Sequence, residues 1–518
     1  QKFWQSAGIA MASRFMGRLA SLVLSTWPVA VSSGWTSGQT SMDNIVVTDA
    51  ADKEKFPAAE FVTQIQDHFD KSNTATWQQA YYVNATYWRG AARGAPIFLC
   101  VGGEGPALDG SAVVSSVHCN LAVEWLKETG ALMFALEHRY YGCHNISACP
   151  VQDFKDVKAA LRFLSSRQAV EDVATFVRSM SDKYKLTSAN KWITWGGSYP
   201  GMVAGWSRLK HPELIHASVA SSAPVHAKLD MYEYNDVVSK AYTVSDNGVG
   251  GSQECRDAIA AGHQKIKDMI ETAEGVADVE KLLGLSAGTL QSHEARVEFL
   301  GNGVADFPAQ SNEPSCSSPA CNIRKICEIM TNSSLGEPLQ RLTALRSAQR
   351  SSSRGKPSSR RQAAAAAPGW PDFWLYQTCT EFGFYQTCSV NSSCMYVKGL
   401  VDVEAEASGC QQFGIAIPDI SKNIATTNAH YGALQPTGPS DKLGSCVLWP
   451  NGEVDPWSAL SVLQSPGESQ PVLWVPGASH HAWTHPSSST DQASVVSARQ
   501  TIKEQVKKFL SSDCTESR

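Results

Sequence analysis

Residues 191–202 read KWITWGGSYPGM. Trp192 to Trp195 is an apolar run of strand length, and a helical stretch follows from Gly201 to Lys210. Between them stands Gly196-Gly197-Ser198-Tyr199-Pro200-Gly201. A serine on a tight strand-to-helix turn has its hydroxyl lifted above the sheet, near the positive end of a helix. Small neighbours let the two backbones pass closely. Ser198 is therefore the candidate nucleophile. The usual Gly-x-Ser-x-Gly spacing is departed from, because Pro200 stands two after the serine and glycine comes one later. Proline is tolerated there as an early helical residue, where no N–H is required. A plain Gly-Ser turn between any strand and helix is the competing reading, since glycine-rich motifs are loose.

Outward from this turn the chain alternates. Pro96–Val101 and Ala131–Leu136 are continuous apolar runs, stopped by Gly102-Gly103 and by Glu137-His138-Arg139. A helix ending near Glu128 is expected between them. Val170, Val173, Val177, Met180 and Tyr184 recur at helical spacing and predict an amphipathic helix over 168–184. Ala217–Ala220 is a fourth short strand. Strands alternating with helices predict a parallel sheet covered on both faces. From 226 to about 431 the alternation is lost, helical stretches such as 254–285 dominate, and eight of the fourteen cysteines are found. It returns at Cys446–Trp449 and Val472–Val475, before a closing helix with Val495, Ile502, Val506 and Phe509 on one face. The expectation is one α/β domain, residues 55–225 and 432–515, interrupted by a mostly helical insertion at 226–431. Within the insertion, the Ser/Arg/Ala-rich stretch 346–368 reads as a solvated disordered loop. A basic run there could also bind nucleic acid or be a processing site.

A serine nucleophile needs a base, and the base needs an orienter. Asp455, in the turn Asn451-Gly-Glu-Val-Asp-Pro-Trp457 after a strand, is the candidate acid, with Glu453 second. His480, in Pro476-Gly-Ala-Ser-His-His481 after the next strand, is the candidate base, with His481 as its neighbouring competitor. The order Ser, acid, His, each after its own strand, is that of an α/β-hydrolase. Two N–H donors should hold the oxyanion. One is expected from Tyr199, the other from Gly102-Gly103-Glu104-Gly105 after the first strand, where Gly103 and Glu104 are the candidates. That glycine run lacks the spacing of a phosphate cradle.

A net charge of −5 over 518 residues, without a broad basic field, argues against nucleic acid as a partner. Cysteines in even number, without Cys-x2-Cys pairs or a nearby histidine, favour disulfides over zinc. Sequons at Asn84, Asn145, Asn332 and Asn391 point to the same oxidising compartment. Near the start, Arg14 and Arg18 precede the apolar stretch Leu19–Val31 and the small residues Ala30-Val31-Ser32. Residues 1–45 are read as an extension with a secretory signal peptide, an N-terminal membrane anchor being the alternative. No stable membrane span is expected further along.

Several stretches together resemble the prolyl carboxypeptidase-like family of serine peptidases. They are Asp67-His-Phe-Asp70 with Trp77, Val101-Gly-Gly-Glu-Gly105, Glu137-His-Arg-Tyr-Tyr-Gly142, the turn Gly196–Gly201, Trp374-Leu-Tyr-Gln-Thr-Cys-Thr-Glu-Phe-Gly383, Asn451–Trp457 and Gly477-Ala-Ser-His480. They run in order over about residues 60–510, and the forms at Gly196 and Tyr376 look most like the thymus-specific branch. The resemblance implies an α/β-hydrolase with a helical, disulfide-braced cap, a triad of Ser198, Asp455 and His480, and cleavage next to proline. It also places Met202, Phe382 and Trp457 around a proline pocket. Two departures stand out: the 346–368 stretch, and His-Ala-Trp-Thr-His485 after His480, where the family is more acidic.

The reading is a proline-directed serine exopeptidase of the lysosome, vacuole or extracellular space, with no cofactor and no metal, acting on proline-containing peptides. A homodimer is left open, as is the choice between carboxypeptidase and dipeptidyl peptidase. An esterase or lipase, or an inactive glycosylated binding protein on the same scaffold, is the alternative.

Overall fold

A computed structural model describes residues 56–143, 148–352, 371–439 and 442–514. The expected signal peptide, the Asn145 sequon and residues 353–368 lie outside the described residues.

The continuous apolar runs form strands buried on both faces. They are β3 (Ile97–Val101), β4 (Leu132–Leu136), β5 (Trp192–Gly197), β6 (Ala217–Ser221) and, after the insertion, β9 (Val447–Gly452); β10 (Val472–Val475) follows as an edge strand that leaves Trp474 exposed. Ahead of them come β1 (Glu60–Ile65) and β2 (Thr76–Asn84), and the eight strands stand in the order β1-β2-β4-β3-β5-β6-β9-β10. The pairs from β4 to β10 are parallel, whereas β1–β2 and β2–β4 are antiparallel. The expectation of a wholly parallel sheet is corrected to a mixed one, with an antiparallel hairpin added at one edge.

Alternate residues of the central strands feed two cores. Ile97, Leu99, Leu132 and Phe134 pack toward the helices Ser166–Tyr184 and Tyr199–Lys210 and toward the insertion. Phe98, Met133, Ile193 and Trp195 pack on the other face, against Leu121, Trp125 and the Val495, Ile502, Val506 and Phe509 face of the helix Ala493–Ser511. A polar knot anchors the first core. Arg139, after β4, makes a two-pronged pair with the buried Asp172 at 2.7 Å on each arm, and His68 Nε2 lies 2.8 Å from the same carboxylate. This gives the motifs at 67–70 and 137–142 a scaffolding role.

The chain leaves the sheet after β6 and returns at β9. In between it forms a cap of helices, including Tyr232–Ala241, Gln253–Met269, Ala273–Leu283, Ile323–Met330, Pro338–Ser352 and Ile417–Tyr431. A small parallel pair, β7 (Lys228–Asp230) with β8 (Gly383–Tyr385), sits among them. The predicted helix over 254–285 is two helices, because Thr272 caps the second through its side chain. The predicted loop at 346–368 is corrected at its start: residues 346–352 continue the helix Pro338–Ser352, and Arg346 donates to the carbonyls of Leu283 and Val304.

All fourteen cysteines are paired. The cap holds Cys255–Cys327, Cys316–Cys321, Cys379–Cys410 and Cys388–Cys394. Cys100–Cys119, Cys143–Cys149 and Cys446–Cys514 brace the sheet domain. Of the described sequons, Asn332 and Asn391 are exposed, while Asn84 is half-buried and donates to Val113 O at 2.9 Å.

Candidate active site

Ser198 directly follows β5 and has φ +66° and ψ −134°, a left-handed conformation that a serine adopts only under constraint. The constraint is close packing. A Cβ on Gly196 would lie 2.3 Å from Pro200 O, one on Gly201 2.7 Å from Ser221 O, and one on Gly103 2.4 Å from the Pro200 ring. The helix begins at Tyr199 with Pro200 in its first turn, two residues earlier than the sequence pattern placed it. As the first helical residue, Tyr199 has no intrahelical acceptor for its N–H.

The parallel order β5-β6-β9-β10 lines up the loops that follow these strands on one side of the sheet. Ser222 after β6 donates to Pro450 O, and its hydroxyl accepts from His481 N at 2.9 Å. Asp455 and His480 come together here, with His480 Nδ1 2.9 Å from Asp455 Oδ1. Both are buried. Nδ1 facing a carboxylate carries the proton, so Nε2 presents its lone pair. That nitrogen is buried and has no partner among the described residues. The Trp457 N–H also donates to Asp455 Oδ1, at 2.9 Å, which fixes the carboxylate in its turn.

Near Ser198 stands the Glu104 carboxyl, whose ionised form the Ser198 hydroxyl favours. Glu104 Oε2 is out of contact with solvent and unpartnered, although part of the residue is exposed. Burial pushes this carboxyl up to about 8, against the hydrogen bonds from its own backbone and from Ser198. The sequence put only the Glu104 backbone in the site. The side chain was missed, and its place beside a glycine-rich turn was the available signal.

The alternatives to the base and the acid have other partners. His481 is fully buried, its Nδ1 lies 3.1 Å from Thr484 Oγ1, and its ring lies 4.4 Å from that of His480 at a tilt of 50°. A Cβ on Gly197 would meet that ring at 2.9 Å, so Gly197 makes room for His481. His118 and His485 flank His481; burial pushes both down to about 4 and holds His481 well below its ordinary value. These rings stay neutral behind the base. Glu453 accepts from Gly477 N and ties two loops together.

Among the three residues named for a proline pocket, Met202 and Phe382 are fully buried, Phe382 beneath the Tyr199 ring at 5.6 Å. Trp457 packs between Tyr234, Phe384 and His480. Around Tyr199, the cap and the sheet domain share a buried polar network. Tyr199 OH lies 2.9 Å from His138 Nε2 and accepts from Gln377 Nε2 at 3.0 Å. Because His138 Nδ1 faces the Arg139 carbonyl at 2.8 Å, its Nε2 is the acceptor and Tyr199 the donor. Gln377 continues to Tyr141 and Glu381, and Glu381 accepts from Ser166. The stretch at 374–383 thus locks the cap to the turn that carries Ser198.

The family model described as Serine carboxypeptidase S28 matches residues 64–502. The thymus-specific serine protease of Homo sapiens is 35% identical over 480 residues, 88% of this chain and 87% of that protein. The lysosomal Pro-X carboxypeptidase of Bos taurus is 25% identical over 482 residues, 87% of each chain. Among solved structures, the proline iminopeptidase of Mycobacterium smegmatis aligns over 88% of this chain and 98% of that chain, at 11% identity and a TM-score of 0.34. An α/β-hydrolase sheet with a disulfide-braced cap, matched along most of its length, makes this chain a member of the serine carboxypeptidase S28 family and a serine-type peptidase.

Proposed function

We propose that the protein hydrolyses peptide bonds next to proline through an acyl-enzyme on Ser198, with His480 as base and Asp455 as its orienter. The observation that carries the proposal is the buried His480–Asp455 pair at 2.9 Å, with a bare Nε2, in loops aligned with the strained turn of Ser198. In this reading His480 Nε2 takes the Ser198 proton as Oγ attacks the scissile carbonyl. The same imidazole then gives that proton to the leaving amine. Water repeats the sequence to release the acid. The oxyanion is held by the Tyr199 N–H at the helix start and by a backbone N–H at Gly103 or Glu104. Proline fits because its ring is compact and apolar, and Trp457 beside the acid offers it an aromatic wall. Seven disulfides and relatives named as lysosomal support a place in the secretory pathway or lysosome.

The test is Ser198→Ala. It should abolish labelling by a fluorophosphonate probe and lower turnover on a proline peptide by a factor on the order of 10^6. Persistent labelling of that variant would remove Ser198 from the role.

A further inference from the structure

Gln310 lies in the cap, in the loop between the helices His293–Leu300 and Ile323–Met330. Its main-chain carbonyl accepts from His480 N at 3.1 Å. Its side chain is held with unusual definition. Trp457 Nε1 donates to Gln310 Oε1 at 3.0 Å, and Tyr234 OH donates to the same oxygen at 2.8 Å. Indole N–H is a donor only, so the amide orientation is fixed: the oxygen faces Trp457 and Tyr234, and the NH2 must face away from them. That nitrogen has no acceptor among the described residues, and Gln310 as a whole is only 8% exposed. A buried amide with a saturated oxygen and two idle N–H groups, one residue layer from the base, is poised for an acceptor from outside the chain.

We propose that Gln310 binds and positions the peptide substrate by donating from Nε2 to a backbone carbonyl oxygen near the scissile bond. The inference rests on the peptidase reading given above. Carbonyl oxygen is the acceptor a peptide always brings, and Trp457 shares both the amide and the wall beside His480. The cap thereby reads the substrate's main chain, while the sheet domain supplies the chemistry.

The experiment compares wild type, Gln310→Glu and Gln310→Met on one proline peptide and on analogues in which each flanking carbonyl is replaced in turn by CH2. Gln310→Glu keeps an acceptor for Trp457 and Tyr234 and loses the donor. Gln310→Met loses both. Each variant should lower kcat/KM on the parent peptide by roughly 3- to 10-fold. On one carbonyl-deleted analogue, wild type and variants should become equal. The rate of Ser198 labelling by a small fluorophosphonate, which has no peptide carbonyl, should stay within about 2-fold of wild type. Labelling slowed as much as peptide hydrolysis would overturn the inference, because Gln310 would then act through the His480 loop. Unchanged peptide kinetics in the variants would overturn it as well. So would a wild type indifferent to every carbonyl deletion, whether or not the variants fold. A wild type that takes no label at all would defeat the peptidase reading itself.

Discussion

Ser198 and Glu104 face each other across the turn, and their relation sets a pH dependence. With burial holding its carboxyl up to about 8, Glu104 is neutral below that pH and ionised above it. A carboxylate accepts from the Ser198 hydroxyl more strongly than a neutral acid does, and it draws that hydroxyl away from His480. Wild-type kcat/KM is expected to fall above about pH 8, whereas Glu104→Gln, which cannot ionise, should keep its rate there. Superimposable alkaline limbs in the two pH profiles would deny Glu104 this influence. At Trp457 the expectation concerns selectivity. Trp457→Ala should shrink the ratio of kcat/KM for matched proline and alanine peptides by about 10- to 200-fold, the range for loss of fit around one small apolar group. Equal slowing on both peptides would mean that Trp457 supports Asp455 and does not read the ring. Ser198, Asp455 and His480 were legible as candidates because each sits in a local motif. Gln310, Gln377 and Glu381 were not legible as site residues, since each acts on a residue more than a hundred positions away.

Among the elements, the hairpin β1–β2 was invisible to hydrophobic patterning for a physical reason. β1 turns Val62 and Gln64 inward and leaves Phe61 and Ile65 exposed. Its buried glutamine donates through Nε2 to Gln79 Oε1 at 2.7 Å and Asp172 O at 2.9 Å, so the N–H groups of a polar residue are paired at a core position. Five of the six parallel strands were legible because a strand covered on both faces is a continuous apolar run, and β10 because it is an apolar run although an edge strand. In the cap, Cys255–Cys327 ties the helix Gln253–Met269 to Ile323–Met330 across a separation of 72 residues, whereas Cys388–Cys394 spans 6. A crosslink over a longer loop removes more freedom from the unfolded chain. Replacing Cys255 and Cys327 by serine should cost about 2–5 kcal/mol, and more than the same change at Cys388 and Cys394. Urea unfolding of the two double variants measures this, and a larger loss at the short loop would refute the ordering.

For the whole molecule, buried titratable groups shape stability against pH. Burial holds Glu104, Glu137 and Glu406 up to about 8, about 7 and about 8, from an ordinary 4.5. The folded state keeps protons there that the unfolded chain releases, so their contribution declines as pH rises from 4.5 through those values. Burial pushes His118, His138, His263 and His485 down to about 4 from 6.5. The folded state refuses protons that the unfolded chain takes up, so this contribution declines as pH falls from 6.5 to about 4. The two sets oppose each other between 4.5 and 6.5 and act alone outside that band. The thermal midpoint should peak in mild acid and drop toward pH 8. Calorimetry at constant ionic strength decides, and a midpoint climbing from pH 6.5 to 8 would contradict the balance.

The pairing of β6 with β9, Ser218 against Val447, spans the entire cap. Translation delivers the N-terminal part first. While the ribosome is still making the cap, the chain owns its serine but neither Asp455 nor His480, and half the sheet edge waits unpaired. If the proposed triad holds, the nascent peptidase is harmless to its surroundings and to itself until nearly the last segment emerges. Every residue of the cap is synthesised before His480, the proposed base, is added.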